Sequence, residues 1–366
     1  MRILMVGHSF LSSYGGPAYS VSHLAQALGA AGIDVGLWAP DGSARTSPIL
    51  DDKARVRRLE GSIAQAYREF GRPDLVHDNG IWMPHNHAWA RLARKEKLAR
   101  LVSIRGMLEP WARNHKRRKK NLAWWLYQRR DLISARYFHA TAETEAVNIQ
   151  ALGLATPILV IPNGVDVPGE TAAARLLLKE RAPRRAVFLG RFNPKKGLPM
   201  LVEAWRRVRP QGWELQLAGF DEAGHRAEIE RAVREAGLEL EITLHGPVEA
   251  EAKHGFLDSA QLFVLPTHSE NFGIVVAEAL AHGVPVLTTR GAPWAAVEQH
   301  NCGWWVAASV DGLEDGLRRA TEASAAELQQ MGDNGRALIA SDYNWPTVAQ
   351  KFIAAYGKCI ETAKSR

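Results

Sequence analysis

The stretch LFVLPTHSENFGIVVAEALAHGVPVLTT, residues 262–289, reads as strand, loop, helix, turn and strand. Its first apolar run stops at Pro266, which cannot continue a central ladder. The run IVVAEALA holds no turn former until Gly283, with Pro285 soon after, the punctuation that closes a helix. VPVLTT then opens a second apolar run. Two strands joined through a helix at this pitch form a right-handed parallel crossover, so the segment argues for an α/β sheet. It also carries two carboxylates, Glu270 on the loop before the helix and Glu278 within it. Ligands of open α/β sheets sit beyond the carboxyl ends of the strands. There the amides of Asn271, Phe272, Gly273, Ile274 and Val275, at a helix N-terminus, suit a diphosphate. Glu270 can accept hydrogen bonds from sugar hydroxyls, and Glu278 can hold a ribose diol. The plainer alternative is that Glu270 complements the helix dipole and Glu278 faces solvent.

The same alternation extends in both directions. Upstream lie ILMV (3–6), a helical pattern from about Pro17 to Leu28, DVGLWA (34–39), LVHDNG (75–80), RLVSIRG (100–106) and YFHATAE (137–143). AVFLG (186–190), ELQLAG (214–219) and EITLHG (241–246) then repeat the plan. At 366 residues the chain exceeds the usual growth of one core. The reading is two Rossmann-like, doubly wound α/β domains. IPNGVDVPGE (161–170) crowds turn formers together and marks the boundary. Asn344-Trp345-Pro346 marks a second crossing, before an amphipathic helix over 347–363. The expected domains are 1–165, 166–345 and a terminal helical piece, 346–366, that returns to the first.

Two further loops follow apolar runs. RFNPKKGLPMLVEAW (191–205) clusters Arg191, Lys195 and Lys196 between a strand and a helix, where cations suit a diphosphate. SSYGGPAYSV (12–21) offers Gly15 and Gly16 for close backbone approach, with Pro17 placed to open a helix. The loop near His245, Pro247 and Val248 is the expected place for a nucleotide base. Taken singly, each loop is also ordinary solvated turn composition.

Bulk properties narrow the class. Two cysteines without paired-ligand spacing exclude a disulfide framework and a structural zinc site, and suit a reducing, cytoplasmic compartment. MRILMVGHSF reads as a first strand and not as a signal peptide, and no run reaches transmembrane length. Net charge is +7, yet residues 1–168 hold 23 Lys+Arg against 14 Asp+Glu, so the basic surplus belongs to the first half. Residues 89–120 alone hold 12 basic side chains against 2 acidic ones, which implies an anionic partner.

Taken in order, these elements resemble the retaining glycosyltransferases of family 4, the group 1 type, most densely over 186–303. The resemblance implies the GT-B fold, two Rossmann-like domains facing each other across a cleft. It implies that Gly15 and Gly16 approach the donor phosphate and sugar, that Arg191 and Lys196 contact the diphosphate, and that Glu270 and Glu278 hold the sugar and the ribose. IPNGVD (161–166) and CGWWV (302–306) resemble further signposts of the family. Two departures stand out. Many relatives have a histidine near the reacting carbon where this chain has VSIRGMLEPW (102–111), with Arg105 and Glu109. Where a double glycine and a glutamate are usual, the chain has GAPWAAVE (291–298), which keeps Glu298 while Pro293-Trp294 alters the loop shape.

The implied activity is retaining, metal-independent hexosyl transfer, as in bacterial-type polysaccharide or glycolipid assembly. The donor is a nucleotide diphosphate sugar and the acceptor a hydroxyl of a glycan or a polyprenyl-diphosphate-linked lipid. Arg191, Lys196 and the helix amides would stabilise the leaving diphosphate. No cofactor is called for, and the chain has no DxD pair. Arg105 is the candidate at the reaction centre.

Within WARNHKRRKKNLAWWLYQRR (111–130), helical spacing aligns Arg113, Arg117, Lys120, Trp124 and Tyr127, with Lys116 beside them. Leu122, Trp125, Leu126 and Ile133 lie more to the other side. A basic and aromatic stripe backed by an apolar face suits a helix at an anionic membrane interface, so the protein is expected to sit peripherally on the inner membrane face. A helix edge whose tryptophans simply pack inward is the competing reading. His85 and His87 are expected to line an acceptor site or cap a helix, not to bind metal.

Three rivals stay open. A non-catalytic binder of membranes or polyanions would leave the phosphate loops idle; nucleic acid is not the expected partner. A nicotinamide oxidoreductase lacks its GxGxxG after the first strand. A sugar-nucleotide epimerase of the same architecture would need no acceptor.

Overall fold

The computed structural model describes residues 1–109, 112, 117–169, 183–248 and 250–364. The chain divides into two compact units, Met1–Gly164 with Trp345–Arg366, and Val165–Asn344. The divisions fall within IPNGVD and at Asn344-Trp345, where turn formers interrupt the pattern.

The first unit is built on seven parallel strands: β1 (Arg2–Val6), β2 (Asp34–Trp38), β3 (Val56–Leu59), β4 (Leu75–Asn79), β5 (Ala99–Ser103), β6 (Tyr137–Ala140) and β7 (Ile158–Val160). Their order is β3-β2-β1-β4-β5-β6-β7. The central strands are buried along nearly their whole length, the signature of a sheet covered on both faces. β3 and β7 escaped the reading of the sequence. VRRL is mostly polar and lies at one edge, and ILV is short and half-buried at the other.

Helix α1 (Gly16–Ala30) opens with Gly15 at its N-cap and Pro17 in its first turn. Helix α2 (Pro84–Lys95) follows β4 and also starts on a proline. The C-terminal helix Trp345–Lys364 belongs to this unit and buries Val348, Phe352 and Tyr356 with residues of α1 and β1. A buried relay ties it down. His139 Nε2 donates to the Ile161 carbonyl at 2.8 Å, so His139 Nδ1 accepts from the Ser103 hydroxyl at 2.7 Å. Ser103 Oγ in turn accepts from His77 Nε2 at 2.7 Å, and His77 Nδ1 accepts from the Tyr356 hydroxyl at 2.8 Å. Both imidazoles of the relay are satisfied on both nitrogens in the neutral form. Burial accordingly holds His77 well below its ordinary pKa and brings His139 down to about 3.

The second unit has six parallel strands: β8 (Arg184–Leu189), β9 (Trp213–Ala218), β10 (Ile242–His245), β11 (Leu262–Leu265), β12 (Val286–Thr289) and β13 (Gly303–Val306). Their order is β10-β9-β8-β11-β12-β13. Helix α3 (Leu198–Val208) follows the β8 loop, α4 (Ala250–Asp258) follows β10, and α5 (Ile274–Ala281) joins β11 to β12. Gly273, at φ 75°, begins α5. Val284 N donates to Ala279 O and Gly283 N to Leu280 O, the double closure of a Schellman cap, with Gly283 at φ 65°. The stretch 262–289 is therefore strand, loop, helix and strand in the positions its composition dictates.

The helical residues 117–133 require a correction. Arg113 and Lys116 lie outside the described residues. Lys120, Trp124 and Tyr127 do share a face, but that face turns inward. Trp124 stands 6.2 Å from the Trp82 ring, Lys120 lies over that ring at 5.6 Å, and Tyr127 Oη donates to Trp82 O at 2.9 Å. The apolar face is the one left in solvent: Trp125 is 83% exposed, with Leu122 and Leu126 also open. Arg117 is exposed as well. The aromatic rings win the interior because each meets a partner for its body or polar tip there, and a one-turn π-helical widening over Trp124–Gln128 admits buried Gln128, whose Oε1 accepts from Trp82 N. No helix among the described residues is long and apolar enough to cross a membrane.

Candidate active site

In the second unit the strand order reverses between β8 and β11, so the loops leaving these neighbours splay apart at their carboxyl ends. Those are the loops of Arg191–Gly197 and Pro266–Gly273, and the structure binds them together. His268 N donates to Lys195 O at 2.8 Å, and Thr267 Oγ1 to the same carbonyl at 3.1 Å. Gly197 is left-handed at φ 66°, and a Cβ there would stand 2.2 Å from Pro266 O, so only glycine allows the approach. A third loop joins from β12: Glu270 N donates to Gly291 O at 2.7 Å, and the Thr289 hydroxyl to Thr267 O.

These ties aim the side chains. Lys196 Nζ lies 2.5 Å from Glu270 Oε1, with side chains only 17% and 14% exposed. Thr267 Oγ1 lies 3.2 Å from the same carboxylate oxygen. Glu278, on α5, takes Lys253 Nζ of α4 on Oε1 at 2.6 Å. Its Oε2 is buried and has no hydrogen-bond partner, a carboxylate oxygen that has lost water and gained no donor. His245 Nε2, at the end of β10, is buried and unpartnered too. Gly246 there accepts from Gly219 N, Pro247 is exposed, and Val248 packs against the core. Arg191 is held less firmly, exposed and 3.2 Å from Glu222 Oε2.

Asn271 and Phe272 lead into α5, and Ile274 and Val275 form its first turn. Trp294 shows what Pro293-Trp294 does in this loop. It is buried against Phe272 and Tyr343, at ring distances of 5.3 and 5.1 Å, and its Nε1 donates to Phe272 O at 2.6 Å. It thus braces the approach to the α5 N-terminus. Lys253 and Trp294 were both missed as site residues, since nothing in local spacing connects either to α5.

In the first unit the switch lies between β1 and β4. Gly15 sits at φ 82°, and a Cβ on Gly15 or Gly16 would meet nothing within 4 Å, so the loop's backbone is open to a ligand. Arg105, past the end of β5, adopts φ 52°. Its guanidinium donates to Asn79 Oδ1 at 2.8 Å and to Ser20 Oγ at 3.0 Å. Burial lowers its pKa to about 10, which leaves it charged at neutral pH. Glu109 is turned instead to Asn148, which donates to it at 2.7 Å. His85 is buried and stacked on His8 at 5.5 Å, its pKa lowered to about 4 by burial and then by His8. His8, just past β1, drew no notice in the sequence. His87 instead pairs with Asp131. Among the described residues no three His, Cys, Asp or Glu side chains group as a metal site.

The chain is similar to known proteins along both units. The model of the glycosyl transferases group 1 matches residues 173–338, and that of the glycosyl transferase 4-like domain matches 15–164. The chain is 29% identical to D-inositol 3-phosphate glycosyltransferase of Arthrobacter sp. strain FB24 over 222 residues, 55% of this chain and 50% of the relative. It is 26% identical to lipopolysaccharide 1,2-N-acetylglucosaminetransferase of Salmonella typhimurium over 54% of this chain and 56% of that one. The chain thus spans about half the length of these two relatives. With glycogen synthase of Mycobacterium tuberculosis the identity is 27%, over 97% and 94% of the two chains. In structure it is similar to sucrose-phosphate synthase of Thermosynechococcus elongatus, with TM-score 0.77, 20% identity, and 99% and 100% of the chains covered. It is also similar to Anabaena HepE in complex with UDP-glucose, with TM-score 0.73, 18% identity and full coverage of both. Two Rossmann-like units on the GT-B plan, matched in turn by the two models, show that the chain belongs to the group 1 glycosyltransferases.

Proposed function

We propose that the protein transfers a hexose-type sugar from a nucleotide diphosphate sugar to a hydroxyl of a glycan or lipid-linked acceptor, with retention and without a metal ion, in polysaccharide or glycolipid assembly. The observation that carries the reading is the orphaned Glu278 Oε2 on the helix whose N-terminus lies beside Lys196 and Glu270. A ribose hydroxyl is the donor that this oxygen lacks, and the α5 amides with Lys196 and Arg191 suit the diphosphate joined to that ribose. The UDP-glucose complex of the similar HepE fold supports a nucleotide-sugar donor.

In the transfer, the bond from the anomeric carbon to the diphosphate oxygen breaks as the acceptor oxygen bonds to that carbon on the same face. The acceptor's proton passes to the departing phosphate. Negative charge grows on the diphosphate, where Lys196, Arg191 and the helix amides stabilise it. Glu270, already oriented by Lys196 and Thr267, accepts from the sugar hydroxyls. The first unit's part in the reading is the open backbone of Gly15 and Gly16 and the charged Arg105. Exposed Trp125, Leu122 and Leu126 beside Arg117 support a peripheral seat on an anionic membrane face.

A thermal-shift panel of UDP, GDP, ADP and dTDP, followed by nucleotide-release assays on the matching donor, tests the reading. One nucleotide should raise the melting temperature, and release should persist in EDTA and yield a product of the donor's own anomeric configuration by NMR. No stabilisation by any of the four, or full turnover with Arg191→Ala and Glu278→Ala combined, would overturn it.

A further inference from the structure

The first unit carries a concave site whose lining includes none of Gly15, Gly16 or Arg105. It opens between α2 and the helical residues 126–131, encloses about 400 Å³, and is lined by Arg91, Arg94, Arg130, His87, Tyr127 and Asp131 among others. It is built around one carboxylate. Asp131 is 2% exposed, and both of its oxygens are taken: His87 Nδ1 donates to Oδ2 at 2.6 Å and Arg94 to Oδ1 at 2.7 Å. Arg100 donates to its carbonyl at 2.7 Å. Asp131 therefore fixes the walls, with its two oxygens held by His87 and Arg94 rather than by Arg91 or Arg130.

Arg91 and Arg130 line the same space, and among the described residues neither has a carboxylate partner. Other arginines are paired: Arg206, Arg207, Arg209, Arg226 and Arg318 of the second unit each meet a glutamate within 3.0 Å. Three guanidiniums against one carboxylate leave the lining with a net charge of +2. Planar forks suit tetrahedral oxyanions, and two uncompensated charges match a dianion better than a single carboxylate. Tyr127 and Leu126 supply apolar wall, and exposed Trp125 adjoins Leu126 in sequence.

We propose that this pocket binds a phosphate dianion, a phosphomonoester or terminal diphosphate, as a site independent of the sugar-nucleotide loops. The group arrives either on a lipid headgroup or on a soluble molecule, and the experiment separates the two. Full-chain protein is sedimented with vesicles of phosphatidylcholine alone, with phosphatidic acid, or with phosphatidylglycerol at matched charge, and titrated calorimetrically with glycerol 3-phosphate. A preference for phosphatidic acid assigns a lipid source, and binding of glycerol 3-phosphate assigns a soluble one. In either case Arg91→Gln with Arg130→Gln should weaken that binding about tenfold, while Lys196→Ala leaves it in place. Arg118→Gln with Lys119→Gln, exposed and outside the pocket, should lower general vesicle binding without changing the preference. Circular dichroism checks that each variant is folded. The proposal is overturned by neither preference nor soluble binding, or by the two double variants behaving alike.

Discussion

Lys196 and Glu270 form a partly buried ion pair, so removing one partner strands a charge in a place where water compensates poorly. Lys196→Ala should lower kcat/KM for the donor by roughly 10²–10³-fold, the range seen when one donor to a developing oxyanion is lost. Steady-state nucleotide release measures it. Glu278→Gln keeps shape and the Lys253 neighbour but offers a weaker acceptor to a diol. It should raise the nucleotide Kd about tenfold by calorimetry, with little change in melting temperature. The close loop approach gives a stability test. A Cβ on Gly291 would lie 2.4 Å from Thr267 O, so Gly291→Ala should cost roughly 1–3 kcal/mol in denaturant unfolding, because backbone must move to admit it.

At the scale of elements, the helical residues 117–133 make opposite predictions for adjacent tryptophans. Trp125 is 83% exposed, so Trp125→Ser should leave the melting temperature nearly unchanged and reduce sedimentation with anionic vesicles. Trp124 is packed toward Trp82, so Trp124→Ser should instead destabilise the fold. The relay from Tyr356 to Ile161 carries a pH signature. His77 and His139 have folded pKa values below their unfolded 6.5, so their contribution is whole above pH 6.5 and is lost as pH falls through the folded values, about 3 for His139, the unfolded chain taking up protons that the fold refuses. Between pH 6.5 and its own folded value each histidine should add a slope approaching about 1.4 kcal/mol per pH unit. Melting temperatures from pH 8 to pH 5 check the direction, and His139→Gln should flatten the curve.

At the scale of the whole molecule, the chain is interrupted twice, and the C-terminal helix returns to the unit that the N-terminus began. Each unit has its own clusters of buried apolar residues, with the C-terminal helix contributing Trp345, Val348 and Phe352 to the first. Division of labour follows from the switch points, one in each sheet. The second unit gathers cations and acids on three mutually bonded loops. The first leaves a bare glycine backbone and a charged Arg105 at the ends of its strands.

The plan of two doubly wound units was legible in the sequence because parallel strands buried on both faces read as unbroken apolar runs, each closed by glycine or proline. The loops bearing Glu270, Arg191 and Lys196, and the helix bearing Glu278, were legible as elements for the same reason, since they begin where those runs stop. What local pattern could not supply was pairing across distance. Lys253 reaches Glu278 from another helix, Trp294 braces Phe272 from another loop, and His8 meets His85 across the switch point. Periodicity aligned Lys120, Trp124 and Tyr127 on one face, but which face met solvent was decided by Trp82, from a distant loop, whose ring, carbonyl and amide receive that face. Spacing along a chain sets which side chains move together; only the packing of remote segments sets what they touch.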